Sequence, residues 1–292
     1  MAEIISKAIL ERIYPRRPED SRKYDFGNLL VVGGSDYYSG APALAALAAF
    51  AAGADMVRIA APKRAADIIA TFSPLLSTIP LEGRWLDAPD LCVLQEVAAS
   101  MAAAAPGKCA VVIGGGIGRS PETMATVKEF VASCALPTVI DADAVRALAD
   151  SPEIFAGKPL MITPHLREFY ELTGNDVADK SDDAKAEIVA NQAKSLGMTI
   201  VLKGKVDVIS DGTRTALGRT GNALMTKGGT GDTLAGIAGA LLARGVTLFE
   251  SASAAAYING IAGELAGAKL GESVTAMDLV NEIPNVLPKR KY

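Results

Sequence analysis

The chain predicts an α/β fold of three layers, α/β/α, with a mostly parallel central sheet covered by helices on both faces. Three observations predict it. Short apolar, β-branched runs recur along the 292 residues with longer helical stretches between them. The runs are apolar throughout, as strands buried on both faces are. Nearly every run also ends in a glycine or polar cluster, and in parallel sheets ligands bind beyond the carboxyl ends of the strands.

Leu29–Val32 reads as a buried strand running into Gly33-Gly34-Ser35, and a helix follows from about Pro42 to Ala52 with its proline in the first turn. Met56–Ile59 is the next strand and Lys63–Thr71 the next helix. Leu76–Leu81 fits a strand and Leu91–Ala104 a helix. Ala110–Ile113 is a strand entering Gly114-Gly115-Gly116, and Pro121 opens a helix to Ser133. Thr138–Ile140 ends at Asp141, and Leu160–Ile162 ends at Thr163-Pro164. Helices follow near His165–Leu172 and Asp182–Leu196. Thr199–Leu202 and Val206–Ile209 pair as a hairpin, and two helices of small residues, roughly Asp232–Arg244 and Phe249–Leu270, come last. The clusters after the strands should converge on one rim. No linker or repeat divides the chain, so residues 1–292 are expected to form a single domain.

Composition narrows the function. The chain is 50% hydrophobic and 21% charged, which is globular rather than disordered. Its net charge of -4 does not suit a nucleic-acid partner, and Lys289-Arg290-Lys291 reads as a solvated tail. The start, MAEIISKAILERIYPRR, lacks the apolar core of a signal peptide. The apolar stretch Ala41–Ala54 is too short to span a membrane. Cys92, Cys109 and Cys134 are too scattered for a zinc site or disulfide framework and read as small core residues. A cytoplasmic protein with neither nucleic-acid nor membrane partners is expected.

The strongest local signal is Gly228-Gly229-Thr230-Gly231-Asp232, preceded by Gly221-Asn222 and leading into a helix of small residues. Glycines let the backbone approach a ligand closely, and the free N–H groups of the following helix favour a phosphate. Asp232 is then out of place unless it has a task. One task is to take the proton of a hydroxyl as its oxygen attacks phosphorus. The other reading makes it an ordinary helix N-cap. No GxxxxGK[ST] run is present, and Gly114–Arg119 does not match GxGxxG in register, so neither a Walker A loop nor a Rossmann dehydrogenase is indicated.

Taken together, these segments resemble the ADP/ATP-dependent NAD(P)H-hydrate dehydratases, a ribokinase-like family. The resemblance runs in order through Gly27–Ser35 with Ser39–Pro42, through Val112–Arg119 and Asp141–Ala144, and on through Ile162–Glu168, Val201–Gly204 and Gly221–Gly236. It implies a ribokinase-like fold and an enzyme that uses ADP or ATP to return hydrated NADH or NADPH to the reduced form. In the implied chemistry Asp232 helps to phosphorylate the ring hydroxyl, and phosphate then leaves where hydroxide would not. Ala41, Gly118, His165 and Asp232 match positions near the hydrated dinucleotide. Lys203, Gly204, Lys205, Val206 and Asp207, with Gly228, Gly229, Thr230 and Gly231, match the adenine-nucleotide positions. Asp141 and Glu168 are candidates for holding a hydrated Mg²⁺.

On the residues alone His165 is a part-buried polar residue, Asp141 a helix cap, Glu168 a surface glutamate, and Asn222 a turn residue. The chain departs from the family pattern at Gly115 (usually Pro), at Arg167 (usually Gly) and at Thr226-Lys227 (usually Ala-Thr). Arg167 and Lys227 would add positive charge near the phosphates. A ribokinase-like kinase of a vitamin-precursor alcohol would share the glycine loop. The small-residue helix around Ser251–Ala268 would suit a homo-oligomer.

Overall fold

The computed structural model describes residues 2–149 and 157–290. Its first elements are β1 (Glu3–Ile4), α1 (Ala8–Ile13), β2 (Asn28–Val32), α2 (Gly40–Ala51), β3 (Met56–Pro62), α3 (Lys63–Ile69), β4 (Ser77–Leu81), α4 (Asp90–Ala104) and β5 (Cys109–Ile113). Then come α5 (Pro121–Ser133), β6 (Thr138–Ile140), α6 (Asp143–Ala147), β7 (Leu160–Ile162), α7 (Leu166–Thr173), α8 (Asp182–Leu196), β8 (Thr199–Leu202), β9 (Asp207–Ser210) and β10 (Thr215–Gly218). Three helices close the chain: α9 (Thr230–Ala243), α10 (Leu248–Leu270) and α11 (Ala276–Val286).

The strands form one sheet in the order β1-β10-β9-β8-β7-β6-β5-β2-β3-β4. Among the described strands only β9 runs against the rest, pairing antiparallel with both β8 and β10. Successive strand residues point to opposite faces. Leu29 and Val31 therefore enter one core with α1, α2, α3, α9, α10 and α11, while Leu30 and Val32 enter a second core with α4 to α8. The three-layer expectation holds.

Small residues let α9 sit deep. An added Cβ at Gly236 would lie 2.0 Å from the carbonyl oxygen of Ala45 in α2, and one at Gly239 would lie 2.4 Å from Val112 Cγ2 in β5. Wedged between α2 and the sheet, α9 can point its N-terminus at only one place, the rim where β2 and β5 end.

Several expectations are corrected. α9 starts at Thr230 rather than Asp232, and β9 at Asp207 rather than Val206. Cys109 and Cys134 are buried, but Cys92 is exposed on α4 with its thiol 3.4 Å from Glu96. Arg290 is no free tail: it donates to the carbonyls of Glu11 and Tyr14. Lys291 lies outside the described residues. No helix among them is long and apolar enough to cross a membrane.

Candidate active site

The order in which strands are added reverses at β2, with β3 on one side and β5 on the other, both parallel to it. Such a switch point opens a crevice, because the two connections leave in opposite directions. Here the loops after β2 and β5 are tied together by Gly34 N–H donating to Gly115 O at 2.8 Å. The crevice above them is lined by Gly33, Ala41, Gly115, Asp141 and Asp232, among others.

Asp232 reaches this crevice because of how α9 begins. Gly229 is the N-cap at φ +98°, a left-handed conformation that glycine adopts without strain. Thr230 Oγ1 donates to the carbonyls of Met225 and Lys227, and Asn259 brackets the first turn through Thr230 O and Thr233 Oγ1. Asp232 is thus the third helical residue and not a cap, and its carboxylate makes no hydrogen bond among the described residues. Burial and then the charge of Asp141 push its pKa up to about 7, against the pull of Lys203. A carboxyl held near neutrality in a cleft can exchange a proton with a bound group.

The exits of β6, β7 and β8 form the adjoining wall. Asp141 Oδ1 accepts from Thr163 Oγ1 at 2.6 Å and from Lys203 Nζ at 2.9 Å. Burial opposes the charge on Lys203, but Asp141, Glu168 and Asp232 around it hold its pKa above the usual lysine value. Lys203 Nζ also lies 3.5 Å from where a Cβ on Gly231 would sit, and Asp141 Oδ2 lies 3.9 Å from it. A fixed cation and the open start of α9 therefore face the same space, an arrangement suited to phosphate.

His165 stands at the N-cap of α7. Its Nδ1 accepts from Glu168 N–H at 3.1 Å, and Glu168 Oε2 accepts from His165 N–H at 2.9 Å, forming a capping box. With Nδ1 accepting, the imidazole proton lies on Nε2, 3.3 Å from Glu168 Oε1. His165 is exposed, next to Lys203 through a parallel bridge, and is not part of the crevice lining. Glu168 is buried rather than on the surface. Asp141 is no helix cap either, since Ala142 holds that place at φ +51°.

In the β8–β9 turn Gly204 N–H donates to Asp207 Oδ1 at 3.0 Å. Burial raises Asp207 to about 6, while the Gly204 N–H and Lys203 pull it down. Val206 packs against the second core, whereas Lys205 and Gly228 are exposed. Asn222 Oδ1 accepts from Leu224 N–H and makes the turn. Arg167 pairs with Glu171 along α7, and Lys227 donates to Glu272 O, so both of the unusual cations are tied elsewhere.

The structure thus brings Ala41, Asp141, Lys203, Gly231 and Asp232 together, and leaves His165, Lys205 and Gly228 further out. Sequence reasoning did not find Thr163 and Asn259 as supports. The signals were a polar residue just beyond the end of β7 and one inside the apolar α10. Sequence reasoning also missed a small recess behind the glycine loop, lined by Leu224, Met225, Lys227, Gly263, Val274 and Leu279 among others. Among the described residues no three His, Cys, Asp or Glu side chains could hold a metal ion by themselves.

A family model described as NAD(P)H-hydrate dehydratase matches residues 29–285. The chain is 42% identical over 94% of its length to the bifunctional NAD(P)H-hydrate repair enzyme Nnr of Pyrobaculum aerophilum, covering 53% of that protein. It is 39% identical to the ADP-dependent (S)-NAD(P)H-hydrate dehydratase of Cenarchaeum symbiosum, with 98% and 97% of the two chains covered. A solved ADP/ATP-dependent NAD(P)H-hydrate dehydratase from Bacillus subtilis, co-crystallised with ATP and Mg²⁺, superposes with a TM-score of 0.80. It is 26% identical, with 98% and 97% of the chains covered. The fold is ribokinase-like. The chain spans about half the length of the bifunctional curated relatives that it matches.

Proposed function

The chain belongs to the NAD(P)H-hydrate dehydratase family, and from that membership we propose that it dehydrates hydrated NADH or NADPH at the expense of ADP or ATP, with residues 1–292 working as a single domain. One observation carries the reading: Asp232, without a hydrogen bond among the described residues and with a pKa pushed up to about 7, stands where the open start of α9 meets the crevice.

The nucleotide's phosphates lie against the amides of Gly229, Thr230 and Gly231 and the ammonium of Lys203. The Lys203–Asp207 turn flanks them. The hydrated ring enters beside Ala41, and its hydroxyl reaches Asp232. As the hydroxyl oxygen bonds to the terminal phosphorus, Asp232 takes its proton and the phosphorus–oxygen bond to the leaving nucleotide breaks. The ring nitrogen then expels phosphate, and loss of a ring proton restores the double bond.

Two carboxylates in reach suit Mg²⁺, which keeps most of its waters and is held mainly by phosphates. Asp141 would hold it through water. Glu168, with its oxygens turned to His165, is the weaker partner. When bound, the ion neutralises phosphate charge. We place the enzyme in the cytoplasm, as a homo-oligomer acting on small molecules and on neither nucleic acid nor membranes.

The test is recovery of the reduced-nicotinamide absorbance from NADH hydrate with ADP or ATP and Mg²⁺. Recovery that needs both the nucleotide and Asp232 supports the lyase. A stable phosphorylated vitamin alcohol without recovery would instead make the protein a kinase.

A further inference from the structure

Beyond the crevice the loop after β5 continues as a floor of bare backbone, and rings stand on it. A Cβ on Gly116 would lie 2.8 Å from Tyr38 Cβ, and one on Gly118 would lie 2.7 Å from Trp85 Cζ3. Tyr37 leans on Trp85 with centroids 5.4 Å apart and planes at 59°. Gly115, three residues from Gly118, faces Asp232 itself. At about 3.8 Å per residue the tryptophan's footing is thus no more than about 11 Å along the loop from the carboxylate's.

The two tyrosines are exposed but held, and Trp85 is half-buried between Gly118 and Tyr37. Tyr37 and Tyr38 are 71% and 64% exposed, at the tip of a turn closed by Tyr38 N–H to Ser35 O and Ser35 N–H to Tyr38 O. Asp36 in that turn accepts from Arg84 Nε, donates its own N–H to Arg84 O at 2.9 Å, and takes Arg64 Nη1 on its carbonyl. Two guanidinium groups thus stand beside the rings, with one carboxylate between them. Aromatic rings already held in position lose little freedom when something flat lies on their open sides.

We infer that Tyr37 and Trp85 form a stacking platform for the second base of the dinucleotide substrate, the adenine remote from the reacting ring, with Arg64 and Arg84 facing its phosphates. This rests on the dehydratase reading, under which the substrate carries two bases and only the reacting ring is placed at Asp232. The platform makes the intact dinucleotide a better substrate than its nicotinamide half.

Kinetics with NADH hydrate and with hydrated reduced nicotinamide mononucleotide separate the two halves. Trp85→Ala and Tyr37→Ala should each raise KM for the dinucleotide about tenfold, leave kcat within about twofold, and leave the mononucleotide's kcat/KM and the KM for ATP unchanged. Trp85→Phe, which keeps a ring on Gly118, should restore most of the affinity. Equal losses on both substrates, or none on either, would overturn the platform. Binding gives a readout independent of turnover, because Trp85 is the only tryptophan in the chain. With free tryptophan as the absorbance control, NAD⁺ should quench its emission and the oxidised mononucleotide, which like NAD⁺ does not absorb where tryptophan emits, should not. Equal quenching by both, or by neither, would sink the platform too. A wild-type protein that dehydrates neither hydrate would refute the activity instead, and quenching would still judge the platform.

Discussion

Lys203 Nζ donates to Asp141 Oδ1 at 2.9 Å, joining the exits of β8 and β6 across 62 residues of sequence. The two act on Asp232 in opposite senses: Asp141 raises its pKa and Lys203 lowers it. Asp232 accepts a proton only when ionised, so kcat/KM should fall as pH drops through about 7. Asp141→Asn should move that acid limb to lower pH, and Lys203→Met to higher pH, whatever either does to the maximal rate. A pH–rate profile in which both variants shift the limb the same way would contradict the pairing.

Asp232→Asn should lower turnover by about 10² to 10⁴, the range of a lost general base. It should also stabilise the fold. The raised pKa means that between pH ~4 and about 7 the folded protein keeps a proton that the unfolded chain has released, so stability falls over that window and stays lower above it. The amide carries no charge to bury. Its melting temperature should exceed the wild type's at pH 8, by about 2–4 °C for each kcal/mol recovered, and the gap should close at pH 4. Calorimetry at the two pH values checks both signs.

Gly115→Ala places a methyl 2.8 Å from Asp232 Oδ1 and 3.1 Å from Ala41 Cβ, without a left-handed backbone to strain. Overpacking of this kind costs about 1–3 kcal/mol. The carboxylate, as the freer neighbour, should be displaced, so kcat should fall more than the nucleotide's KM rises. Ala41→Gly in the same chain should return part of the loss.

Arg167→Gly and Lys227→Thr restore the commoner family residues, and neither should change the KM for ATP or ADP by more than about twofold. Their charges are already spent on Glu171 and on the Glu272 carbonyl. A large rise in KM for either variant would show that the cation swings to the phosphates when nucleotide binds.

The rim was legible in sequence because β2, β5, β6, β7 and β8 each end at a glycine or polar residue, and buried parallel strands are easy to see. Asp232 stood out because a carboxylate in a glycine loop conflicts with phosphate. What could not be read depended on distance in space. Trp85 and Tyr37 are 48 residues apart and meet only after β4 lies beside β3. Burial of Glu168 follows from how α7 docks, which its own neighbours do not reveal. β10 (TALG) and α6 (DAVRA) were too short for a period to register.

The wedge that seats α9 against α2 and β5 has a consequence for the chain while it is being made. The walls of the crevice from Gly33 and Ala41 leave the ribosome early, and Asp232 follows about 200 residues later, a delay of roughly 10–40 s at ordinary elongation rates. Throughout that interval the slot for α9 on Ala45 and Val112 stands open and apolar. A nascent chain stalled before residue 230 would therefore be both inert and adhesive, a natural client for a chaperone until its last fifth arrives.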